Sequence, residues 1–247
     1  MAWTRCITAS LLIVLVVCQD SSGSRPWELD HYDPTWRTPS STSAGSMPIG
    51  NGRTGLNVWV EGDGTLRFYI SSTDSWSQNN VLMKLAGVSV AWNPTPFAAG
   101  VAFTQKLALR DGAIVITAGD EADPSATVRV WVDPHRDVVH VTGTTASPAE
   151  MTVSLDVWRK KTRPMTGTWR CWTLEGFDEP TPDLPAGKVI TADVVLTRPG
   201  PVLTWYHRNE HSMWPVSMRL QGFGQYLDQF EDPLLHRTFG GAIAGDN

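Results

Sequence analysis

The sequence predicts an all-β protein built as a sandwich of antiparallel strands, and three observations carry that prediction. Apolar and polar residues alternate over many short stretches, the signature of strands with one buried face. Gly, Pro, Asn and Asp break those stretches at intervals of about ten residues, as in sandwiches and barrels. Between them no run shows the period of about 3.6 residues expected of an amphipathic helix.

The first segment, residues 1–23, stands apart from this pattern. Arg5 gives it a positive start, Ile7 to Val17 a largely apolar core and Gln19 to Ser24 a polar exit with small residues. That layout is a secretory signal peptide. The core is shorter than the roughly twenty apolar residues needed to cross a bilayer, so no membrane span is expected. Cleavage is expected after Cys18 or after Gly23. A lipid anchor on Cys18 is disfavoured, because Val17 is bulkier than the position before a lipidated cysteine tolerates. The segment predicts a secreted or periplasmic protein. Cys6 and Cys18 leave with it, so only Cys171 remains and no internal disulfide can form.

Residues 24–48 are rich in Pro, Ser and Thr without a sustained period and read as an extended lead-in. Residues 49–247 read as one β-sandwich domain, large enough for a single core to hold without disulfides. Leu56, Val58 and Val60 alternate with Asn57 and Trp59; a turn at Glu61–Gly64 follows, and Leu66, Phe68 and Ile70 resume the alternation, giving a β-hairpin. Val88, Val90 and Trp92 continue the period. Phe103, Leu107 and Leu109 lead through an Asp111-Gly112 turn into Ile114 and Ile116, a second hairpin. Val128, Val130 and Val132 precede Asp133-Pro134, after which Val139 and Val141 and then Val153, Leu155 and Val157 carry further strands. Gly167 to Lys188, with Pro180, Pro182 and Pro185, reads as a long loop. Ile190 to Arg198 and Val202 to Trp205 read as two more strands, and Gln221 to Phe230 as a helical turn or two with Tyr226, Leu227 and Phe230 on one side.

Composition narrows the function. The net charge is −5 and there is no long Lys/Arg run, which argues against nucleic acid, whose binding rests on phosphate neutralisation. Trp158 to Arg163, the one basic cluster, reads as solvated surface. The chain carries 12 tryptophans, all but Trp3 beyond the leader. Packing between sheets is one use for such rings, and stacking on the apolar faces of sugars is the other; the sequence leaves both open.

The loop Gly50-Asn51-Gly52-Arg53-Thr54-Gly55 matches the spacing G-x-G-x-x-G, but a dinucleotide loop needs a strand before it and a helix after it. Here a coil enters and a strand leaves, so its glycines are expected to shape a sharp entry into the sheet. Asn51 and Arg53 are polar side chains on a glycine-flanked loop, placed to reach a ligand or a neighbouring domain. Most acidic residues fall in turns, where turn chemistry accounts for them. Asp74, in the polar stretch before Trp76, is a candidate for a sugar hydroxyl or for a turn role. His207 and His211 are four apart with Glu210 between them, yet no helix and no third ligand accompany them, so no metal and no cofactor are expected. No Ser/His/Asp or Cys/His pattern is present, and Cys171 lacks the surroundings of a catalytic thiol.

The blocks PIGNGRTGLNVWVE, FYISSTDSW, WYHRNEHS and EDPLLHRTFGG, in this order, resemble the N-terminal β domain of domain-of-unknown-function family 5703. They are also similar, less closely, to the corresponding domain of glycoside hydrolase family 95, the alpha-L-fucosidase-like proteins of bacteria. The resemblance spans about Pro34 to Gly241. It implies a β-supersandwich, two large sheets face to face, placed ahead of a helical (α/α)6 domain that holds the catalytic acid and base. No such barrel is contained in these residues, so this chain alone is expected to lack the two carboxyl groups that glycoside hydrolysis needs. The expectation is an exported accessory domain supporting carbohydrate hydrolysis by a helical partner domain, with Asn51, Arg53, Asp74, Trp76, His207, Arg208 and Asn209 facing substrate or that domain. A stand-alone carbohydrate-binding module and a structural interaction domain are the alternatives.

Overall fold

The computed structural model describes residues 29–164, 189–196, 200 and 202–245. The segment 1–23 expected to be a signal peptide, the stretch 167–188 expected to be a loop, and Cys171 lie outside the described residues. Two five-stranded antiparallel sheets face each other. The first runs β1 (Thr35–Trp36), β6 (Phe103–Ala108), β7 (Ala113–Gly119), β8 (Pro124–Val132), β9 (Val139–Thr145) in spatial order. The second runs β10 (Glu150–Asp156), β5 (Leu82–Asn93), β4 (Leu66–Trp76), β3 (Thr54–Val60), β2 (Met47–Gly50). A third sheet joins β13 (Val194–Leu196), β14 (Val202–Arg208) and β15 (Thr238–Ala244), and β11 (Arg163–Pro164) pairs with β12 (Val189–Ile190). The chain is an all-β antiparallel sandwich, as the alternation predicts.

The alternation becomes a core because the hairpin registers bring like faces together. Val58 lies opposite Phe68, and Phe68 opposite Val88; Leu66 lies opposite Val60 and Val90. These inward residues meet Ile114, Ile116, Val128 and Val130 of the facing sheet in one cluster. Burying each such side chain contributes about 1.5–3 kcal/mol. Gln105, also buried, spans the layers: its Nε2 donates to the Val58 carbonyl at 3.0 Å, satisfying the one strongly polar group on an otherwise apolar strand face.

The third sheet locks on through Trp205, which joins the same cluster and donates its indole N–H to the Leu85 carbonyl at 3.3 Å. Glycine permits the approach. A Cβ at Gly240 would fall on the Trp205 carbonyl oxygen and within 2.6 Å of Tyr206 Cα, and one at Gly241 would meet the Trp205 ring at 2.7 Å.

Three differences from the sequence reading have physical causes. The lead-in is not merely extended: β1 pairs with β6, and β2 begins at the fully buried Met47, so the sandwich starts before residue 49. The helical turn expected over Gln221–Phe230 is the 3-10 segment Gly224–Gln229, and a helix α1 (Trp214–Leu220) precedes it. Lastly, β15 is a full strand paired with β14 over seven positions. Its alternation of Gly and Ala with Phe239 and Ile243 carries too little apolar signal to announce a strand.

The sandwich is shut where edge strand β2 packs on β7 and β8 and open along β9 and β10. On β10, Met151 is 51 % and Val153 37 % exposed, although both line the space between the layers. That space is a cleft of about 1170 Å³, with Val88, Val141, Trp205, Phe239 and Ile243 among its apolar walls.

Candidate functional site

At one end the apolar cleft changes to a charged rim of Arg53, Asp74 and Asp137, with Arg237 attached. The rim begins with Asn51. Its side-chain oxygen accepts from the backbone N–H groups of Arg53 and Thr54 at 2.9 and 2.8 Å, an Asx turn that Gly52 completes with φ of 89°. Its amide donates across the sandwich to the carbonyls of Asp133 and Arg136 at 2.9 and 3.2 Å. Asn51 is thus a pin between the β2–β3 loop and the β8–β9 turn. That turn is itself ordered by Asp133. The Arg136 side chain, then the His135 N–H, hold its carboxyl down from 3.8 to about 2.

The pin sets Arg53 between two carboxylates, with Nε 3.2 Å from Asp137 and Nη2 3.2 Å from Asp74. Thr54 Oγ1 donates to the other oxygen of Asp137 at 3.1 Å. Arg237 closes the row: its Nη2 lies 3.1 Å from Asp74 Oδ1 and its Nε donates to the Asp74 carbonyl at 2.8 Å. The order Asp137–Arg53–Asp74–Arg237 alternates in sign and connects all three main sheets. Its side chains are 31–62 % exposed, so each pair contributes only about 0–1 kcal/mol and the row is not an important source of stability. Its chemical capability is polar: fixed acceptors and donors side by side, suited to hydroxyl groups or to a complementary protein surface. Each carboxylate is engaged by a guanidinium, and the row offers no separated acid and base.

Behind the rim the strand end His207–Asn209 splits by strand alternation. Arg208 points outward, its Nε 3.7 Å from Glu210. His207 and Asn209 point inward and are buried, whereas His211 is exposed, so the two histidines occupy different environments. Asn209 donates to the carbonyls of Trp76 and Leu234 at 3.0 and 2.8 Å, and its backbone pairs with Arg237 and His236. It thereby clamps the end of β4 to the segment that carries Arg237. The Trp76 ring is half-buried with its N–H on the Thr73 carbonyl at 2.8 Å.

His207 Nδ1 lies 2.9 Å from Asp193 Oδ1, and Arg159 Nε donates to the same oxygen at 2.7 Å. Neighbouring Gln78 and Asn79 both donate to the Val189 carbonyl, at 2.6 and 2.9 Å. The structure therefore gathers Asn51, Arg53 and Asp74 on the rim, and joins Trp76, His207 and Asn209 through the buried layer beneath it. Arg159 belongs to the Trp158–Arg163 cluster expected to be solvated surface, but its side chain is only 10 % exposed and is held by Asp193, which overturns that expectation at this position; nothing in the sequence singles out Asp137 or Asp193. Asp137 sits in a turn that accounts for it locally, and Asp193 and Arg159 are brought together only by tertiary pairing. Asp63, Asp120 and Asp133 do serve the turns expected of them, each accepting a backbone N–H two residues on.

Among the described residues no group of three or more His, Cys, Asp or Glu side chains could hold a metal ion, and no helix is long and apolar enough to cross a membrane. Fold and rim together define an all-β sandwich domain with an apolar cleft and a polar, charge-balanced end. More specifically, the family model described as a domain of unknown function (DUF5703), in its N-terminal part, matches residues 35–247, and the chain belongs to that family. No curated protein matches the sequence.

Proposed function

We propose that this chain is an exported N-terminal β-sandwich domain of a glycoside-hydrolase-like protein, related to the N-terminal domain of glycoside hydrolase family 95. In this reading it supports carbohydrate hydrolysis by a helical (α/α)6 domain that these residues do not contain. The observation that carries the reading is the exposed row Asp137–Arg53–Asp74–Arg237. Three of its members stand in the blocks that resemble those proteins, and an exposed row of fixed donors and acceptors is suited to contact with substrate or a partner domain. The test is made on the protein encoded by the uninterrupted reading frame. Arg53→Ala and Asp74→Ala should each lower polysaccharide hydrolysis at least tenfold while leaving the unfolding midpoint within a few degrees. Activity within twofold of wild type in both variants, or a reading frame with no helical domain, refutes it.

A stand-alone carbohydrate-binding module is the second reading. It is favoured by Trp158, which is 43 % exposed and buttressed edge-on by Tyr69 at a ring separation of 5.2 Å. Binding of this chain to immobilised glycans, abolished by Trp158→Ala or by Trp76→Ala, would select it. Absence of glycan binding together with absence of any hydrolase domain leaves a structural interaction domain.

A further inference from the structure

We propose that the buried polar layer behind the rim is a hydration site, holding internal water bound by Asn79, Asp193, His207 and Asn209. Four side-chain atoms there have no hydrogen-bond partner among the described residues: Asn79 Oδ1, Asp193 Oδ2, His207 Nε2 and Asn209 Oδ1. The side chains are buried: Asn79 and His207 are 3 % exposed as whole residues, Asn209 is 0 %, and the Asp193 side chain is 0 %. Buried polar atoms are almost always paired, and a polar group left bare inside a protein costs about 1–3 kcal/mol. Four in one small region require a common explanation.

They do belong to one region. Asn79 is tied to the Val189 carbonyl, and Thr191 Oγ1 donates to Gln78 Oε1 at 2.9 Å. Asp193 follows on the same short segment and meets His207, while Asn209, two residues beyond His207, returns to the Trp76 carbonyl. The circuit thus runs through residues 76–79, 189–193 and 207–209.

All four orphan atoms are acceptors. The two Asn amides are oriented by the donations of their Nδ2 groups, to Val189 in one case and to Trp76 and Leu234 in the other, so flipping either would break bonds already made. His207 presents Nδ1 to a carboxylate, which places its proton there and leaves a lone pair on Nε2. What is missing is a donor. A cation is the poorer candidate, because Asp193 already faces the Arg159 guanidinium at 2.7 Å and a metal ion would meet that positive charge. Water donates two protons and commonly satisfies two to four such partners. It would also complete the layer that fixes the Trp76 carbonyl and, through Asn209, the backbone beside Arg237.

Two measurements on the whole chain decide the matter. A high-resolution crystal structure should show ordered water at about 2.6–3.2 Å from Asp193 Oδ2 and His207 Nε2, and Asn79→Ala should add a water where the amide oxygen was. In solution, long-lived water should give magnetisation-transfer cross-peaks to protons of these residues, and the ¹⁵N spectrum of His207 should show the Nδ1–H tautomer. The proposal is overturned by a dry site, by direct side-chain partners for the four atoms, by an anomalous-scattering peak that marks a metal, or by a protonated Nε2.

Discussion

Replacing Asp193 by Asn should be the most damaging conservative change in the described part of the chain. The carboxylate is fully buried and one of its oxygens receives both Arg159 Nε at 2.7 Å and His207 Nδ1 at 2.9 Å, with Arg159 only 10 % exposed. Asn preserves the shape and removes the charge, so the guanidinium is left nearly buried without its counter-ion. Breaking a buried pair in this way costs about 3–5 kcal/mol. Arg159 keeps a bond from Nη1 to the Lys84 carbonyl at 3.1 Å, which favours the lower end, so about 3 kcal/mol is expected. That is roughly a hundredfold in the folding equilibrium, readable as a lowered urea midpoint followed by tryptophan fluorescence. The cost arises from the stranded cation rather than from the lost bonds. Adding Arg159→Met to Asp193→Asn should therefore recover about 1–3 kcal/mol. A loss below about 1 kcal/mol for the single variant, or a double variant as costly as the sum of the two singles, would refute the reasoning.

Other perturbations test the layers around it. Asn51→Ala removes four hydrogen bonds, two of them between sheets, and should cost about 2–3 kcal/mol in urea unfolding, given about 1 kcal/mol each with some replacement by water; Asn51→Asp, which keeps the acceptor, should retain the turn but lose the cross-sheet donation. The Asp133 carboxyl is held at about 2 in the fold against an ordinary 3.8, so its contribution is complete above about pH 4 and disappears as pH falls toward 2. Thermal melts between those pH values should accordingly be steeper in pH for the native chain than for Asp133→Asn, and equal slopes would contradict the assignment. Gly240→Ala drives a methyl onto the Trp205 carbonyl and should destabilise by about 1–3 kcal/mol, with amide exchange rising first along β14 and β15. Asn209→Ala strips partners from the buried Leu234 carbonyl and the part-buried Trp76 carbonyl and should cost about 2–5 kcal/mol, whereas Arg237→Ala at the rim end of the same linkage should cost below about 1 kcal/mol; the reverse order in denaturation would show that the rim does not rest on the buried clamp.

The parts of this fold that were legible in the sequence are those in which burial is one-sided and local. Leu56 to Ile70 and Phe103 to Ile116 alternate because each strand has one face in the core, and their tight turns fix the register. The lead-in failed that test, since β1 has only two residues and exists by pairing with a strand some seventy residues later. The tail failed it for another reason. The residues of β15 are chosen by the close approach of Trp205 and Tyr206, which demands Gly240 and Gly241 and leaves only Thr238 and Ile243 as β-branched residues to mark the strand. Helix α1, seven residues long with Pro215 in its first turn, is too short for a periodic signal. Within the site, Asn51, Arg53 and Asp74 were legible because glycines and polar runs frame them. Asp193 and Arg159 were not, because each looks ordinary alone and acquires meaning only from the other.

The two layers at this end of the sandwich divide the work. Exposed ion pairs are individually too weak to hold four side chains in a row, two of them long arginines, against their own conformational entropy and against salt. Yet the backbone beneath each member is fixed without the ion pairs: Arg53 by the Asn51 turn, Asp137 by the Asp133 turn, Asp74 and Arg237 by Asn209 and the two carbonyls it holds. The side chains then need to order only their own torsions, which lowers the cost of forming the row and of presenting it to a ligand or a neighbouring surface. The binding role proposed for the rim would then depend on residues that lie beneath it and not in it. Losses of function at Asn51 or Asn209 are therefore expected to follow the geometry of the rim, and losses at Arg53 or Asp74 its chemistry.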